Sequence, residues 1–547
     1  MGIYIHESIS KGVTKEEWGK VYQETLTLMK AFPFAERGNI TYAGRKVACT
    51  VPAQEREAVS FQGDRMVGWN TTGDYDTLKG AENYYIPKDL VGDGAVEAEP
   101  WDAMMEALPA YLDLNWEDDM FGHTYSLWDS KTQGEPYHMY ILAVACLIED
   151  RLGNQAFTYG DITRGQCQKA VELANQHLEK PIRVPARCEM ERLFQRIQNL
   201  PIGDTEKVSA FEKFYLGAQD ESFIAFEQAH FPKEAILGRW KKQFSGSGIQ
   251  TVGFSRDLKK YLSLGLGLEE LCGIVELEDS KGKHQYEAFL KAVMDTKLHL
   301  KEKNTKDYLD IQPEDKQPYA TWSLLANFVF CSAHNHKVGR YIPIEEIRES
   351  LKKGIGEGYD VDAYITQYLK EEADAPKVDI EKPNLSKEEL AKMVTADASE
   401  AFTQTIEKYI REDQKEQEQY DIINYGDLLY YRKGNAVKPG LMKALGGSFQ
   451  FYHGTLQEEH YKSLMAQDPR ERCLFLIEQN QHLMLRDCDW MRIFSEIEGN
   501  PESFGRYYPM VRVKMDSDGL YQMVQALVLN DELYAYAEEV SHRVGEQ

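Results

Sequence analysis

The chain contains no Cys-x-x-Cys pair, no uninterrupted apolar run approaching ~18 residues and no surplus of positive charge. Each absence removes a class of protein. The eight cysteines are scattered at 49, 146, 167, 188, 272, 331, 473 and 488, mostly inside apolar helical patterns where a thiol acts as a small hydrophobe. That usage argues against a disulfide framework and for a reducing, cytoplasmic setting. Without a long apolar run no membrane-spanning helix is expected, and the opening MGIYIHESISKGVTKEEW has no basic segment followed by an apolar one, so no secretory leader is expected either. Gly2 follows Met1, but His6 stands where a myristoylation signal requires Ser or Thr.

Lysine and arginine (63) are outnumbered by aspartate and glutamate (89), and the net charge of −26 repels phosphate backbones and anionic lipid. The basic clusters ARCEMERLFQR and RWKK read as ordinary helix-face charges. Direct nucleic-acid and membrane binding are therefore not expected, whereas a basic protein partner is compatible. Catalytic signatures are missing too. There is no Gly-x-Ser-x-Gly elbow, no His-Glu-x-x-His run and no EF-hand loop, and FSGSGIQ (244–250) lacks both the Lys-Ser/Thr of a P-loop and the third glycine of a dinucleotide turn. It reads as a helix–helix connection, and LGLGLEELCG as a helix entry. No fixed-period repeat marks a solenoid.

What is present is a globular composition, 42% apolar and 11% aromatic, over 547 residues, a length that implies several domains. GIYIH alternates as a short strand. Thr14 with Glu17 forms a capping box, and Trp18, Val21, Tyr22, Thr25, Leu28, Met29 and Phe32 line one face of a helix that Pro33 stops. NITYAGRKVACTV predicts two strands about a Gly44 turn, and DRMVGWN a third. From Tyr137 the texture becomes helical: YHMYILAVACLIEDRLG is a buried central helix, and a short strand precedes a second capping box at Thr163 and Gln166. Residues 371–385, EEADAPKVDIEKPNL, have linker composition, and Ser386 with Glu389 opens a further long helix. SFQFYH and MVRVKM suggest short strands near the C-terminus. The expected fold class is α+β, predominantly α-helical. Its divisions are a small α+β domain at 1–100, an acidic and aromatic connecting region at 101–136, a mainly helical domain at 137–370, a linker at 371–385 and a mainly helical C-terminal domain at 386–547.

Two stretches could carry function. CSAHNHKVGR (331–340) holds His334 and His336, but histidines two apart on a helix point about 200° away from each other and cannot share one ion. Lys337 and Gly339 suit a helix end, Glu345 and Glu346 are the nearest carboxylates, and no metal is expected there. The second stretch, 101–130, gathers Trp101, Trp116 and Trp128 with Asp113, Glu117, Asp118, Asp119, Asp129 and His123. Carboxylates beside aromatic faces receive cations through Coulomb and cation–π attraction. The alternative pairs Glu117 or Asp119 with His123 as an acid–base or hard-metal site, and the blandest account packs the tryptophans between domains and leaves the acids in water.

These features predict a protein that binds a basic partner protein, as an immunity or regulatory protein does, through Trp116, Glu117, Asp118, Asp119, His123, Trp128 and Asp129. No catalytic residue, metal or cofactor is expected. A metal-dependent hydrolase with a loop-borne His/carboxylate site is the alternative.

Overall fold

The computed structural model describes residues 2–59, 65–90, 100–111, 122–278, 281–301, 338, 340–374, 419–480, 483–514 and 516–545. Strands open the chain and helices dominate the remainder, an α+β architecture that is predominantly helical. Strand β1 (Tyr4–Ser10) is the centre of a three-stranded antiparallel sheet, with β7 (Thr124–Lys131) on one side and β8 (Ala156–Gly160) on the other. A second antiparallel sheet holds β2 (Phe34–Tyr42), β3 (Arg45–Pro52), β4 (Arg56–Val59), β5 (Arg65–Asp74) and β6 (Gly80–Pro87), with β5 pairing β2, β4 and β6. The hairpin between β2 and β3 turns through Ala43 and Gly44, both at positive φ, which matches the twist of the flanking strands.

Between β1 and β2 runs α1 (Lys15–Ala31). The Thr14 hydroxyl accepts from the Glu17 amide at 3.2 Å and the Glu17 carboxylate from the Thr14 amide at 2.9 Å, the capping box expected. Phe32 ends the helix in extended geometry, as the adjoining Pro33 requires. Helix α3 (Tyr137–Leu152) is sealed on every side from Ile141 to Ile148, and α4 (Arg164–Asn175) starts from the Thr163–Gln166 box. One core joins α1, α3 and α4 to Ile5, Ile9 and Trp128 of the small sheet, so residues 137–178, which the sequence pattern groups with the helical domain, pack instead with the N-terminal strands.

The opposite face of the same sheet serves a second core. There Phe157 belongs to one apolar cluster with residues of α2 (Met104–Tyr111), α5 (Met190–Gln198), α6 (Asp204–Phe214), α7 (Glu221–His230), α8 (Lys233–Ser245), α9 (Val252–Ser263), α10 (Leu268–Ile274), α11 (Tyr286–Asp295) and the helices Ile344–Ile355 and Val361–Asp374. FSGSGIQ does connect two helices, α8 and α9. Edge strand β8 has its outward groups taken by charged side chains. The Thr158 amide donates to Glu149, while Arg187 and Arg196 donate to the Thr158 and Ala156 carbonyls. An open edge would invite another strand, and this one is closed.

A third core gathers the C-terminal helices around Trp490, Phe494 and Leu445, and takes Val47 and Cys49 from β3. The β2–β3 hairpin therefore belongs to two units at once. SFQFYH is not a strand but part of the helix Pro439–Thr455, because Leu441, Leu445, Phe449 and Tyr452 repeat at helical spacing and all are buried. MVRVKM likewise forms no strand among its described residues; its start lies in the 3-10 turn Tyr508–Val511. Residues 371–374 close the helix Val361–Asp374, while 375–385, Ser386 with its capping box, and His334 with His336 lie outside the described residues.

Candidate functional site

Strand alternation divides the expected acidic and aromatic face. In β7, Trp128 lies opposite Glu7 and Asp129 opposite His6, so the two point to opposite sides of the sheet. Trp128 is buried in the first core, its indole N–H donating to the Tyr85 carbonyl at 2.9 Å and its ring set edge-on to Tyr84 at 5.5 Å. It is not part of an exposed binding face, which corrects that expectation. Asp129 remains outside, 65% exposed, with a carboxylate oxygen 3.1 Å from Nδ1 of His6. His123 is half-buried and stacks on Trp101 at 4.4 Å. Six residues along the strand, it stands ~20 Å from Asp129 and shares no site with it. Trp116, Glu117, Asp118 and Asp119 lie outside the described residues.

The side chain that Asp129 does meet was not anticipated. His6 lies between the rings of Tyr4 (5.7 Å) and Tyr159 (4.7 Å), nearly parallel to both. Gly160, at φ +116, permits this approach, since a Cβ there would stand 2.6 Å from the Tyr4 carbonyl and 3.0 Å from the His6 ring. A carboxylate on Nδ1 orients the imidazole and leaves Nε2 for proton transfer, the arrangement of a general base and its orienting group.

A second constellation sits where α11 ends. Glu372 accepts from the Lys297 ammonium at 2.6 Å and from Nε2 of His299 at 2.9 Å. Lys297 also donates to the Tyr368 hydroxyl (2.8 Å), which donates to Asp295 (2.7 Å). Burial works to raise the Glu372 carboxyl, but the hydrogen bonds from Lys297 and His299 outweigh it and hold it below the usual range. Burial, then the bond to Asp295, pushes the Tyr368 phenol well above its ordinary value. Nδ1 of His299 is buried and, among the described residues, has no hydrogen-bond partner. Lys297 occupies the left-handed position after the helix, φ +58, where glycine is favoured, at a cost of ~1 kcal/mol. The sequence held one local signal, Tyr368 and Glu372 at i and i+4 on one helix face; nothing in it announced their meeting with residues some 70 positions earlier.

A third feature is a depression of about 450 Å³ on the C-terminal unit, between the helices Pro439–Thr455 and Asp518–Leu529. Tyr425, Lys443, Gly447, Phe451 and Leu520 line it, and Phe451 (54% exposed) and Tyr425 (37%) present their rings to solvent.

No protein-family model matches the chain, and no curated protein or solved structure matches it.

Among the described residues no three His, Cys, Asp or Glu side chains stand where they could hold one metal ion, and no helix is long and apolar enough to cross a membrane.

Proposed function

We propose that this protein works by binding a partner protein with a basic surface, in the manner of an immunity or regulatory protein. The observation that carries the reading is the net acidity of the chain, a surplus of 26 negative charges. Some buried carboxylates are paired internally, Glu149 by Arg196, Glu212 by Arg239 and Asp489 by Arg486, as is the half-buried Asp102 by Arg196. The field of the surplus steers a cationic partner and accelerates encounter. Exposed aromatic rings at Phe451 and Tyr425 supply the kind of anchor that interfaces favour. In the stretch 101–130, Trp116, Glu117, Asp118, Asp119, His123 and Asp129 stay in the proposal and Trp128 leaves it. We place the protein in the cytoplasm; the described cysteines, six buried and Cys488 exposed, are all free thiols.

The test begins with cross-linking in intact cells to capture the partner. Its association rate with purified protein is then measured at low and high salt. Replacing Glu117, Asp118 and Asp119 by Gln, Asn and Asn slows association and flattens its salt dependence. A neutral or acidic partner, or rates indifferent to salt, overturns the reading.

Hydrolysis is the second reading, and the two His–carboxylate pairs, His6–Asp129 and His299–Glu372, favour it. Turnover of an ester or phosphoester substrate panel that disappears in His6→Gln or His299→Gln would support it; a panel without turnover would set it aside.

A further inference from the structure

Strand β2 loses one of its neighbours near its start. It pairs β3 from Ala35, opposite Pro52, to Tyr42, opposite Arg45, but pairs β5 on its other side only at Phe34 and Ala35. The Ala35 carbonyl faces β5, where the Thr71 hydroxyl donates to it at 2.9 Å. Backbone groups two residues apart on a strand point the same way, so the N–H and C=O of Arg37, Asn39 and Thr41 also face away from β3. The two-residue turn at Ala43 and Gly44 gives the same phase. It makes Tyr42 and Arg45 a hydrogen-bonded pair and leaves the alternate residues of β2 turned outward. Those outward groups meet no hydrogen-bond partner among the described residues.

The hairpin that carries this open edge is firmly seated. Val47 and Cys49 are buried in the C-terminal core, with Ile40, Tyr42 and Val51 packed against it, and the Thr50 amide on the far edge donates to the Leu485 carbonyl. Arg37, Asn39 and Thr41 are exposed, on the face that also presents Lys46. Charge here runs against the rest of the chain. Glu36, the one carboxylate of the hairpin, is buried 2.5 Å from Arg56, and Arg45 lies 3.4 Å from Glu478. Arg37 and Lys46 have no carboxylate partner among the described residues, which leaves the exposed face of the hairpin positive on a protein of net charge −26.

We propose that the β2 edge from Arg37 to Thr41 docks an extended acidic segment of a partner protein, which joins the sheet as an added strand. Main-chain hydrogen bonds to Arg37, Asn39 and Thr41 hold the segment, and carboxylates at its alternate positions meet Arg37 and Lys46 and select it. A second copy of this chain suits the edge less well, because two such edges bring like cations together and two bodies of charge −26 repel. The edge is separate from the stretch 101–130, so the loss of either contact leaves the other in place.

The probe is a fluorescein-labelled heptapeptide alternating Glu with Val and Thr, titrated with the full chain and read by anisotropy. It binds, and the same peptide with Lys for each Glu does not. Asn39→Pro removes an outward N–H at a position where an edge strand tolerates proline, so the melting temperature is kept while affinity falls about tenfold. Arg37→Ala and Lys46→Ala each weaken binding roughly two- to fivefold, and less at high salt. N-methylation of one alternate set of peptide amides abolishes binding while methylation of the other set does not, a signature of edge pairing that needs no protein variant. If Asn39→Pro fails to fold, the methylated peptides decide alone. No binding of the acidic peptide, equal binding of the lysine peptide, or indifference to either methylated set or to Asn39→Pro in a folded protein overturns the proposal. A dimer in sedimentation that Asn39→Pro dissolves gives the edge to a second copy and overturns it too.

Discussion

Trp128 and Asp129 are consecutive in the chain and face opposite sides of one sheet, the indole sealed beneath β1 and the carboxylate in water beside His6. Their substitutions should therefore differ in kind. Trp128→Ala empties a core position and loses the Tyr85 hydrogen bond, which costs ~3–5 kcal/mol. Asp129→Asn touches an exposed pair and stays within ~0.5 kcal/mol. Denaturant unfolding of both variants checks this. A mild Trp128→Ala would put the tryptophan back among the binding residues.

His138 makes stability fall with acid. Its ring is buried, Nδ1 lies 2.7 Å from the Thr132 hydroxyl, and Nε2 has no hydrogen-bond partner among the described residues. Burial lowers its pKa to about 4 from an ordinary 6.5. The unfolded chain thus binds a proton that the folded one refuses, and stability is lost as pH falls from about 6.5 towards 4. The loss at the bottom of that window approaches ~3 kcal/mol. His138→Gln keeps a polar contact to Thr132 without titrating, so its melting temperature should change less across the window than that of the wild type. Equal slopes would show that other groups set the acid limit.

Legibility in the sequence tracks the range of each interaction. The capping boxes at Thr14 and Thr163, the Gly44 turn and the buried helix beginning at Tyr137 are written within a few residues, and the chain forms them as read. SFQFYH misled because four residues, Ser448 to Phe451, can alternate by accident while the flanking leucines keep helical period. The division into cores was harder. Whether α3 joins the strands before it or the helices after it depends on Ile5 and Ile9 reaching it across more than 130 positions. The His6–Asp129 and His299–Glu372 pairs are hidden for the same reason: no local pattern records a partner 73 or 123 residues away.

The β2–β3 hairpin ties the C-terminal unit to the N-terminal sheets. Tyr42 stacks on Phe494 at 4.1 Å and its hydroxyl donates to Glu498, while the Thr50 amide donates to the Leu485 carbonyl at 2.9 Å. Tyr42→Ala removes the aromatic pair, worth ~0.5–1.5 kcal/mol beyond its buried area, together with the hydrogen bond. Scanning calorimetry should then resolve the C-terminal unit as a separate transition. Tyr42→Phe keeps the stack and should behave close to wild type. A single unshifted transition in Tyr42→Ala would mean that the remaining contacts, the Thr50 backbone bond, Val47 and Cys49 in the C-terminal core and Tyr75 with Asp487, suffice to couple the units.

Phe451 separates a binding anchor from a core residue cleanly, because it is 54% exposed although it stands on a helix whose Leu445, Phe449 and Tyr452 are buried. Phe451→Ser removes little buried area, so unfolding should stay within ~0.5 kcal/mol of wild type. If the ring fills a pocket on the partner, its loss should cost ~2 kcal/mol or more in affinity, seen mainly as faster dissociation. Lys443→Ala, in the same depression but contributing no aromatic surface, should change the dissociation rate far less. Both variants are checked by the melting curve and the dissociation rate of the captured complex. If Phe451→Ser dissociates like wild type, the depression takes no part in binding and the charged stretch around Asp129 must hold the partner by itself.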